Sequence, residues 1–223
     1  MNTWLIFILL IIIAKYTLDL IVSYLNLKAL SPILPNEFRD VLDQEKYRES
    51  QEYTRTNTFF SVIQNSIITL ISLTFLIMGG FNLIDEFART FALDEVLTGI
   101  IFTASLMALS FILELPFSIY STFVIEERFG FNQTTARTFV FDTLKGLLLA
   151  VIIGVPVLAL VLWFFIATGD LAWIYCWLGV FLITLVLQFL APILIMPLFN
   201  KFTPLEDGEL KEAIIDYTSK EKF

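Results

Sequence analysis

Five long apolar runs divide this chain, and they leave few folds open to it. They lie at about residues 3–25, 59–81, 96–123, 139–166 and 171–199. A helix rises about 1.5 Å per residue, so about 20 apolar residues cross the hydrocarbon core of a bilayer. Hydrophobic residues make up 57% of the 223 residues and charged residues only 16%, which a soluble domain rarely shows. We therefore predict an all-α integral-membrane bundle with five transmembrane helices in a lipid bilayer.

The basic residues outside the runs predict the direction of the helices. If Lys145 at the start of the fourth run is counted with the third loop, twelve of the 14 Lys and Arg residues lie in the first loop, the third loop and the tail. The second loop holds only Arg89, and the fourth loop holds none. The positive-inside rule then places the N-terminus outside and the C-terminus in the cytoplasm. This multi-pass arrangement fits a bacterial inner membrane and the endoplasmic reticulum equally. The first run lacks a basic leader and a cleavage site, so it is interpreted as a retained helix.

The residues that are rare or missing narrow the function. The sequence contains no histidine, which is the commonest metal ligand and the usual general base. Its single cysteine, Cys176, rules out an internal disulfide. The formal net charge of −8 argues against a nucleic-acid partner, which needs a basic surface. The lack of histidine argues against a histidine-based metal site or general base in this chain.

Amphipathic helices are predicted outside the runs, on the cytoplasmic side. In the charged segment 36–57, Phe38, Val41 and Leu42 share one helical face. This helix is expected to continue into the second run, as a solvated surface or as a docking surface. The tail has a second stripe, and its helix has start signals at Thr203-Pro204 and at Asp207-Gly208. The tail stripe consists of Leu210, Ala213, Ile214 and Tyr217.

Ionisable residues within the runs are candidate functional residues, because burying a charge in lipid is costly. Lys15 and Asp19 are four residues apart and opposite in sign, so they are expected to pair. Glu114 lies in the third run, just before Pro116. The alternative is a structural role, with the pair facing the bundle or reaching the interface. These charges and the prolines also suggest a channel or transporter, but the two halves show no inverted repeat.

The loop FVIEERFGFNQTT, residues 123–135, interrupts the apolar pattern with charge. Gly130 between two phenylalanines predicts a tight turn that glycine adopts easily. Asn132 is predicted to cap the fourth helix. Glu126 and Glu127 are expected to pair with Arg128 or with Arg137.

The segment LPFSIYSTFVIEERFGFNQTT, residues 115–135, resembles the signature of the CAAX prenyl protease 1 family, close to L-P-x-S-x-Y-x-T-F-x-I-E-E-x-x-G-F-N. A second match, APILIMPLFNKFTPLEDGELKEAI at residues 191–214, resembles the family's P-L-F-x-K-F-T-P-L segment. The charged stretch EKYRESQEYTRTN is a weaker third match. The residues that fit the first pattern are Leu115, Pro116, Ser118, Tyr120, Thr122, Phe123, Ile125, Glu126, Glu127, Gly130, Phe131 and Asn132.

The resemblance implies a membrane zinc metalloendopeptidase whose helices wall an intramembrane chamber. Such an enzyme removes the last three residues of a prenylated peptide, using zinc held by an H-E-x-x-H motif and a further Glu. This chain has no such motif, so we expect no catalytic residue, no metal ligand and no bound cofactor in it. It is interpreted as the membrane domain, residues 1–202, followed at 203–223 by the start of a truncated cytoplasmic protease domain. The missing zinc protease domain and a peptide substrate, prenylated or otherwise membrane-bound, are the expected partners.

The signature loop supplies the remaining candidate residues. Its members are expected at the chamber mouth or at the surface where the protease domain docks. The alternative function is a non-catalytic membrane scaffold or binding module that needs a partner chain. The candidates are Glu126, Glu127, Arg128, Phe131 and Asn132.

Overall fold

The computed structural model of the chain describes residues 2–36, 43–203 and 205–220. The predicted stripe of Phe38, Val41 and Leu42 lies outside these residues. Within them the regular structure is helical, which confirms the all-α prediction. The chain divides into two units, Met1–Ala136 and Arg137–Phe223, and each is described by itself. The boundary predicted at residue 202 stays a prediction.

In the described part of the first unit there are four α-helices and a π-helical turn. Asp43 caps α2, since its carboxylate accepts hydrogen bonds from the backbone N–H groups of Glu45 and Lys46. At 34 residues, α2 is longer than a bilayer requires. Its first part carries the charged residues and its apolar part starts near Phe59, which confirms one helix that runs from the charged segment into the second run. The elements are α1 (Thr3–Ala29), α2 (Gln44–Ile77), α3 (Gly80–Arg89), α4 (Glu95–Tyr120) and the π turn Ser121–Glu126.

The short helix α3 was not predicted from the sequence. It starts after Gly79, whose φ of 73° favours glycine, so α2 ends at Ile77 rather than at residue 81 as expected. A Cβ on Gly80 would overlap the ring of Phe75, so this position also needs glycine. The signal was present in the sequence: Gly80, Ile84 and Ala88 recur every four residues and are buried.

The second unit continues the two remaining runs as long helices with local irregularities. The π-helical turn Ala150–Gly154 is followed closely by Pro156. A second π-helical turn, Ala191–Ile195, contains Pro192. A proline has no N–H to donate and crowds the preceding turn, so the helical hydrogen bonds shift there. The α-helices are α5 (Ala136–Leu149), α6 (Val155–Ala167), α7 (Ala172–Leu190), α8 (Met196–Phe199) and α9 (Glu209–Lys220).

Among the residues that the structure describes, five helical stretches are long and apolar enough to cross a membrane, which confirms the five predicted spans. Their apolar side chains are mostly exposed, as expected of helices whose surroundings are lipid. Contacts between neighbouring helices are partly aromatic: Phe60 of α2 stacks on Tyr120 of α4 with ring centroids 5.2 Å apart. In the second unit Phe164 of α6 stacks on Tyr175 of α7 at 5.9 Å.

Candidate functional site

The signature loop is a tight turn that closes the third span. The backbone N–H groups of Phe131 and Asn132 both donate to the carbonyl oxygen of Glu126, at 2.9 and 3.2 Å. Gly130 has a φ of 73° at this point, a conformation that glycine adopts without strain. The turn satisfies a helix-end carbonyl that would otherwise lack a partner. The predicted glycine turn is therefore confirmed.

Asn132 stabilises this turn rather than the following helix. Its side-chain oxygen accepts a hydrogen bond from the N–H of Thr134 at 2.7 Å, and its amide nitrogen donates to Glu127 at 2.8 Å. The helix α5 begins only at Ala136. The prediction that Asn132 caps the fourth helix is therefore wrong. An asparagine side chain bonds to the backbone two residues on in a turn as readily as at a helix start, so the sequence signal was ambiguous.

Tyr53, in the charged part of α2, joins this helix to the loop. Its hydroxyl donates to the carboxylate of Glu126 at 2.7 Å. Its ring packs edge-on against Phe129 and Phe131, with centroids 5.2 and 4.8 Å away. Next to it, Arg128 forms an ion pair with Glu52 at 2.9 Å.

We call the six residues of this contact the Tyr53 junction. They bring together two segments more than 70 residues apart in the sequence. Hydrogen bonds to a carboxylate are stronger than those between neutral groups. The exposed ion pair adds little by comparison. The members are Glu52, Tyr53, Glu126, Arg128, Phe129 and Phe131.

The expected ion pairs within the loop are not the ones the structure shows. Glu126 and Glu127 accept hydrogen bonds from neutral groups, Tyr53 and Asn132. Arg128 reaches instead to α2, and Arg137 lies over the ring of Phe141, 5.6 Å from its centroid. For Glu126 and Arg128, neighbours in sequence were the wrong guide, because both side chains contact α2, which is distant in the chain.

Sequence reasoning missed Tyr53 and Glu52 as part of the candidate site. Both lie in the charged stretch that gave only the weaker third family match. The structure brings this stretch to the strongest match, so two of the three resembling segments form one contact. The sequence placed Tyr53 only on a sparse apolar stripe of the charged helix, together with Tyr47, and gave no sign of its contact with the loop.

The ionisable residues within the spans are placed as follows. Lys15 and Asp19 form the expected ion pair at 2.7 Å, with side chains 76% and 51% exposed. Glu114 is exposed and has no hydrogen-bond or ion-pair partner within the described part of the chain. Their functional roles stay predictions. Outside the spans, Asp85 accepts a hydrogen bond from Arg89 at 2.8 Å and raises the pKa of that guanidinium.

The second resembling segment, residues 191–214, lies in the second unit. Lys145 of α5 donates to the carbonyl oxygen of Leu198 at 2.9 Å and pairs with Asp142 at 3.1 Å. Its ammonium also lies 5.5 Å from the ring centroid of Phe199. The helix α9 starts at Glu209, which fits the later of the two predicted starts.

The stripe on α9 remains uncovered. Leu210, Ile214 and Tyr217 are all exposed, and Ala213 is exposed beside them. The ion pairs of this helix connect residues four apart, Asp207 with Lys211 and Asp216 with Lys220. Such pairs support the helix itself and do not fix its place in a fold.

The donor atoms of this chain do not fit a zinc ion. A zinc site uses three or four nitrogen, sulfur or carboxylate ligands brought to one point. Across residues 2–36, 43–203 and 205–220, no group of three His, Cys, Asp or Glu side chains is placed to hold a metal. Histidine is absent from the sequence, and the thiol of Cys176 lies 3.5 Å from the carbonyl oxygen of Val161.

Comparisons with known proteins agree on one family. Residues 23–201 match the family model described as CAAX prenyl protease N-terminal, five membrane helices. The chain is 37% identical over 212 residues to a CAAX prenyl protease 1 homolog of Arabidopsis thaliana, covering 90% of this chain and 50% of that protein. It is 35% identical over 214 residues to CAAX prenyl protease 1 of Saccharomyces cerevisiae, covering 91% and 47%.

A solved structure is similar over almost the whole chain. The crystal structure of S. mikatae Ste24p superposes with a TM-score of 0.91 and 33% sequence identity, covering 99% of this chain and 53% of that one. The chain therefore spans about half the length of the curated relatives that it matches.

Proposed function

The chain belongs to the CAAX prenyl protease 1 family as its N-terminal membrane part, and from this premise we propose that it forms the wall of an intramembrane chamber. This chamber leads a membrane peptide to the catalytic centre of a zinc metalloendopeptidase. The substrate class is a prenylated peptide that loses its last three residues, or another membrane peptide. We place the N-terminus outside and the signature loop in the cytoplasm, on the basis of the charge bias.

The Tyr53 junction is the observation that carries this proposal. Substrate and protease domain must meet the membrane part at a fixed geometry, because small misplacements near a reacting centre reduce rates strongly. The junction fixes the loop to α2 through Tyr53 and Glu126. Glu127, Asn132 and Phe131 then present their remaining surface at the chamber mouth or to the protease domain.

Zinc chemistry belongs to the part of the enzyme that this sequence does not contain. In the intact enzyme, two histidines one helical turn apart and a carboxylate would hold the metal, and the metal would activate water. We propose that this chain supplies no ligand to that centre and catalyses no step by itself, in keeping with the lack of a group of three His, Cys, Asp or Glu side chains placed for a metal among its described residues. Its contribution is to orient the substrate and to hold the loop that faces the catalytic part.

The first test is the mass of the native polypeptide, measured intact from source membranes. We expect a mass well above the 25.6 kDa of this chain, with C-terminal peptides that contain H-E-x-x-H. A native polypeptide of 25.6 kDa without that motif would overturn the proposal. The function would then be that of a scaffold or binding module.

The second test measures kcat and KM of the intact enzyme on a prenylated peptide, for Glu126→Ala and Glu127→Ala. Loss of a substrate contact raises KM, whereas misplacement of the protease domain lowers kcat. We expect at least a tenfold loss of kcat/KM for one of the two variants, with zinc content unchanged. Glu49→Ala is the control, because Glu49 is an exposed carboxylate on α2 that makes no hydrogen bond or ion pair with the residues that the structure describes. Unchanged kcat/KM in both loop variants would exclude a role for these carboxylates.

One observation favours the scaffold as a second candidate. The apolar stripe of α9 is exposed, so in the native setting another protein surface or the lipid must cover it. A stable partner chain that copurifies with a protein lacking the zinc motif would support this function.

A further inference from the structure

A cavity of about 640 Å³ lies in the first unit, where the end of α1 approaches the charged part of α2. Its lining includes the apolar side chains of Leu27, Leu30 and Phe59. It also includes three arginines, Arg48, Arg55 and Arg128. Such a wall suits a molecule that has an anionic head and an apolar body.

The arginines that line the cavity keep N–H donors that a ligand can use. Arg48 is paired with Glu45, and Arg128 is paired with Glu52, the carboxylate that also lines the cavity. Arg55 makes no ion pair with any residue that the structure describes. A guanidinium has five N–H donors in a planar fork, so even a paired arginine can still bind a phosphate oxygen.

The position of the cavity along the helices favours a lipid. Phe59 begins the apolar part of α2, and Leu27 lies just before the end of α1 at Ala29. The cavity is therefore at the level where the apolar segments meet the charged ones. The basic residues on this end of the helices place it on the cytoplasmic side under the positive-inside rule. Basic pockets at this level bind the headgroups of anionic lipids.

We propose that this cavity binds an anionic phospholipid, with its phosphate headgroup on Arg55, Arg48 and Arg128 and its acyl chain along Leu27 and Phe59. An inorganic phosphate would satisfy the guanidinium groups but would leave the apolar wall uncovered. A lipid can bind the guanidinium groups with its headgroup and cover the apolar lining with its acyl chain. This binding goes beyond the proposed function, since it requires neither a protease domain nor a peptide substrate.

The test measures the melting temperature of the purified chain in detergent while one of three probes is added. The probes are phosphatidylserine, phosphatidylcholine with the same acyl chains, and inorganic phosphate. A ligand that binds only the folded state raises the melting temperature. We expect a rise with phosphatidylserine alone. An equal rise with phosphatidylcholine or with inorganic phosphate would overturn the proposal.

Substitutions of Arg55 test whether the lipid binds in this cavity. Arg55→Gln is expected to weaken the apparent affinity for phosphatidylserine roughly fivefold, as the loss of one basic residue near a membrane surface does. Lys46→Gln is the matched control, because Lys46 lies on the same helix, is exposed and does not line the cavity. Arg55→Lys keeps the charge and checks that position 55 tolerates substitution. Equal weakening in Arg55→Gln and Lys46→Gln would overturn the site. So would a peptide with a free α-carboxylate that binds with the Arg55 dependence while phosphatidylserine does not.

Discussion

The loop at residues 123–135 and the segment at residues 191–214 both resemble the same family, yet their side chains contact different kinds of partner. In the loop, Tyr53 and Glu52 reach in from another helix. In the stretch after Leu198, one lysine of α5 makes the distant contact, and beyond it α9 has ion pairs only to its own neighbours within the described residues.

This difference separates two ways of keeping a segment in place. Distant contacts add stability that depends on the whole unit, whereas pairs four residues apart act within a single helix. The loop is therefore expected to respond to substitutions in α2. The tail helix is expected to tolerate substitution until a partner surface covers it.

The largest expected effect is that of Tyr53→Ala. It removes the hydrogen bond to Glu126 and both aromatic contacts, so we expect a loss of about 2–3 kcal/mol in the free energy of unfolding. Tyr217→Ala is the control, because Tyr217 is exposed on α9. The measurement is denaturation of the purified chain in mixed micelles. Equal losses in the two variants would show that the loop is held no more firmly than the tail.

Lys145→Met tests the distant contact that the structure describes for the second segment. Lys145 donates to the carbonyl oxygen of Leu198 and lies over the ring of Phe199, so its loss is expected to cost about 1–2 kcal/mol. Lys211→Met is the control, since Lys211 pairs only with the exposed Asp207. If the melting temperature of Lys145→Met is no lower than that of Lys211→Met, the contact of Lys145 does not stabilise the segment.

The spans could be predicted from the sequence because the hydropathy of about 20 consecutive residues identifies a transmembrane helix without knowledge of the helices that pack against it. The sequence predicted the turn at Gly130 because a positive φ is a local property of glycine. It did not predict the hydrogen bond between Tyr53 and Glu126, because nothing about a tyrosine in a charged helix indicates a partner 73 residues away. It also started α5 too early, because the side chain of Asn132 serves a turn and a helix cap equally.

Gly130→Ala tests whether the turn itself limits the stability of the loop. Gly130 has a φ of 73° and no atom within 4 Å of an added Cβ, so the expected cost of about 1 kcal/mol comes from backbone strain alone. Gly146→Ala is the control in α5, where the space is also open but the backbone is helical. Alanine is expected to stabilise that position by up to about 1 kcal/mol. Opposite shifts in melting temperature confirm the prediction, and a rise in both would show that the turn relaxes freely.

The smallest effect compares one ion pair from each region by double-mutant cycles. Arg128→Gln with Glu52→Gln measures the pair that joins the loop to α2, and Lys211→Gln with Asp207→Asn measures the local pair before α9. Both pairs are exposed, so we expect coupling energies below about 1 kcal/mol in each cycle. Molar salt should reduce both, because it shortens the screening length to about 3 Å.

A coupling energy of zero would have a different meaning in each of the two cycles. The local pair at Asp207 supports one helical turn, so its absence leaves the tail as it was. The pair of Arg128 and Glu52 lies beside Tyr53, and its coupling should depend on that residue. We expect the Arg128–Glu52 coupling to fall in a Tyr53→Phe background, because the hydroxyl bond to Glu126 keeps the loop close to α2. An unchanged coupling would mean that the charges and the aromatic contacts hold the loop independently.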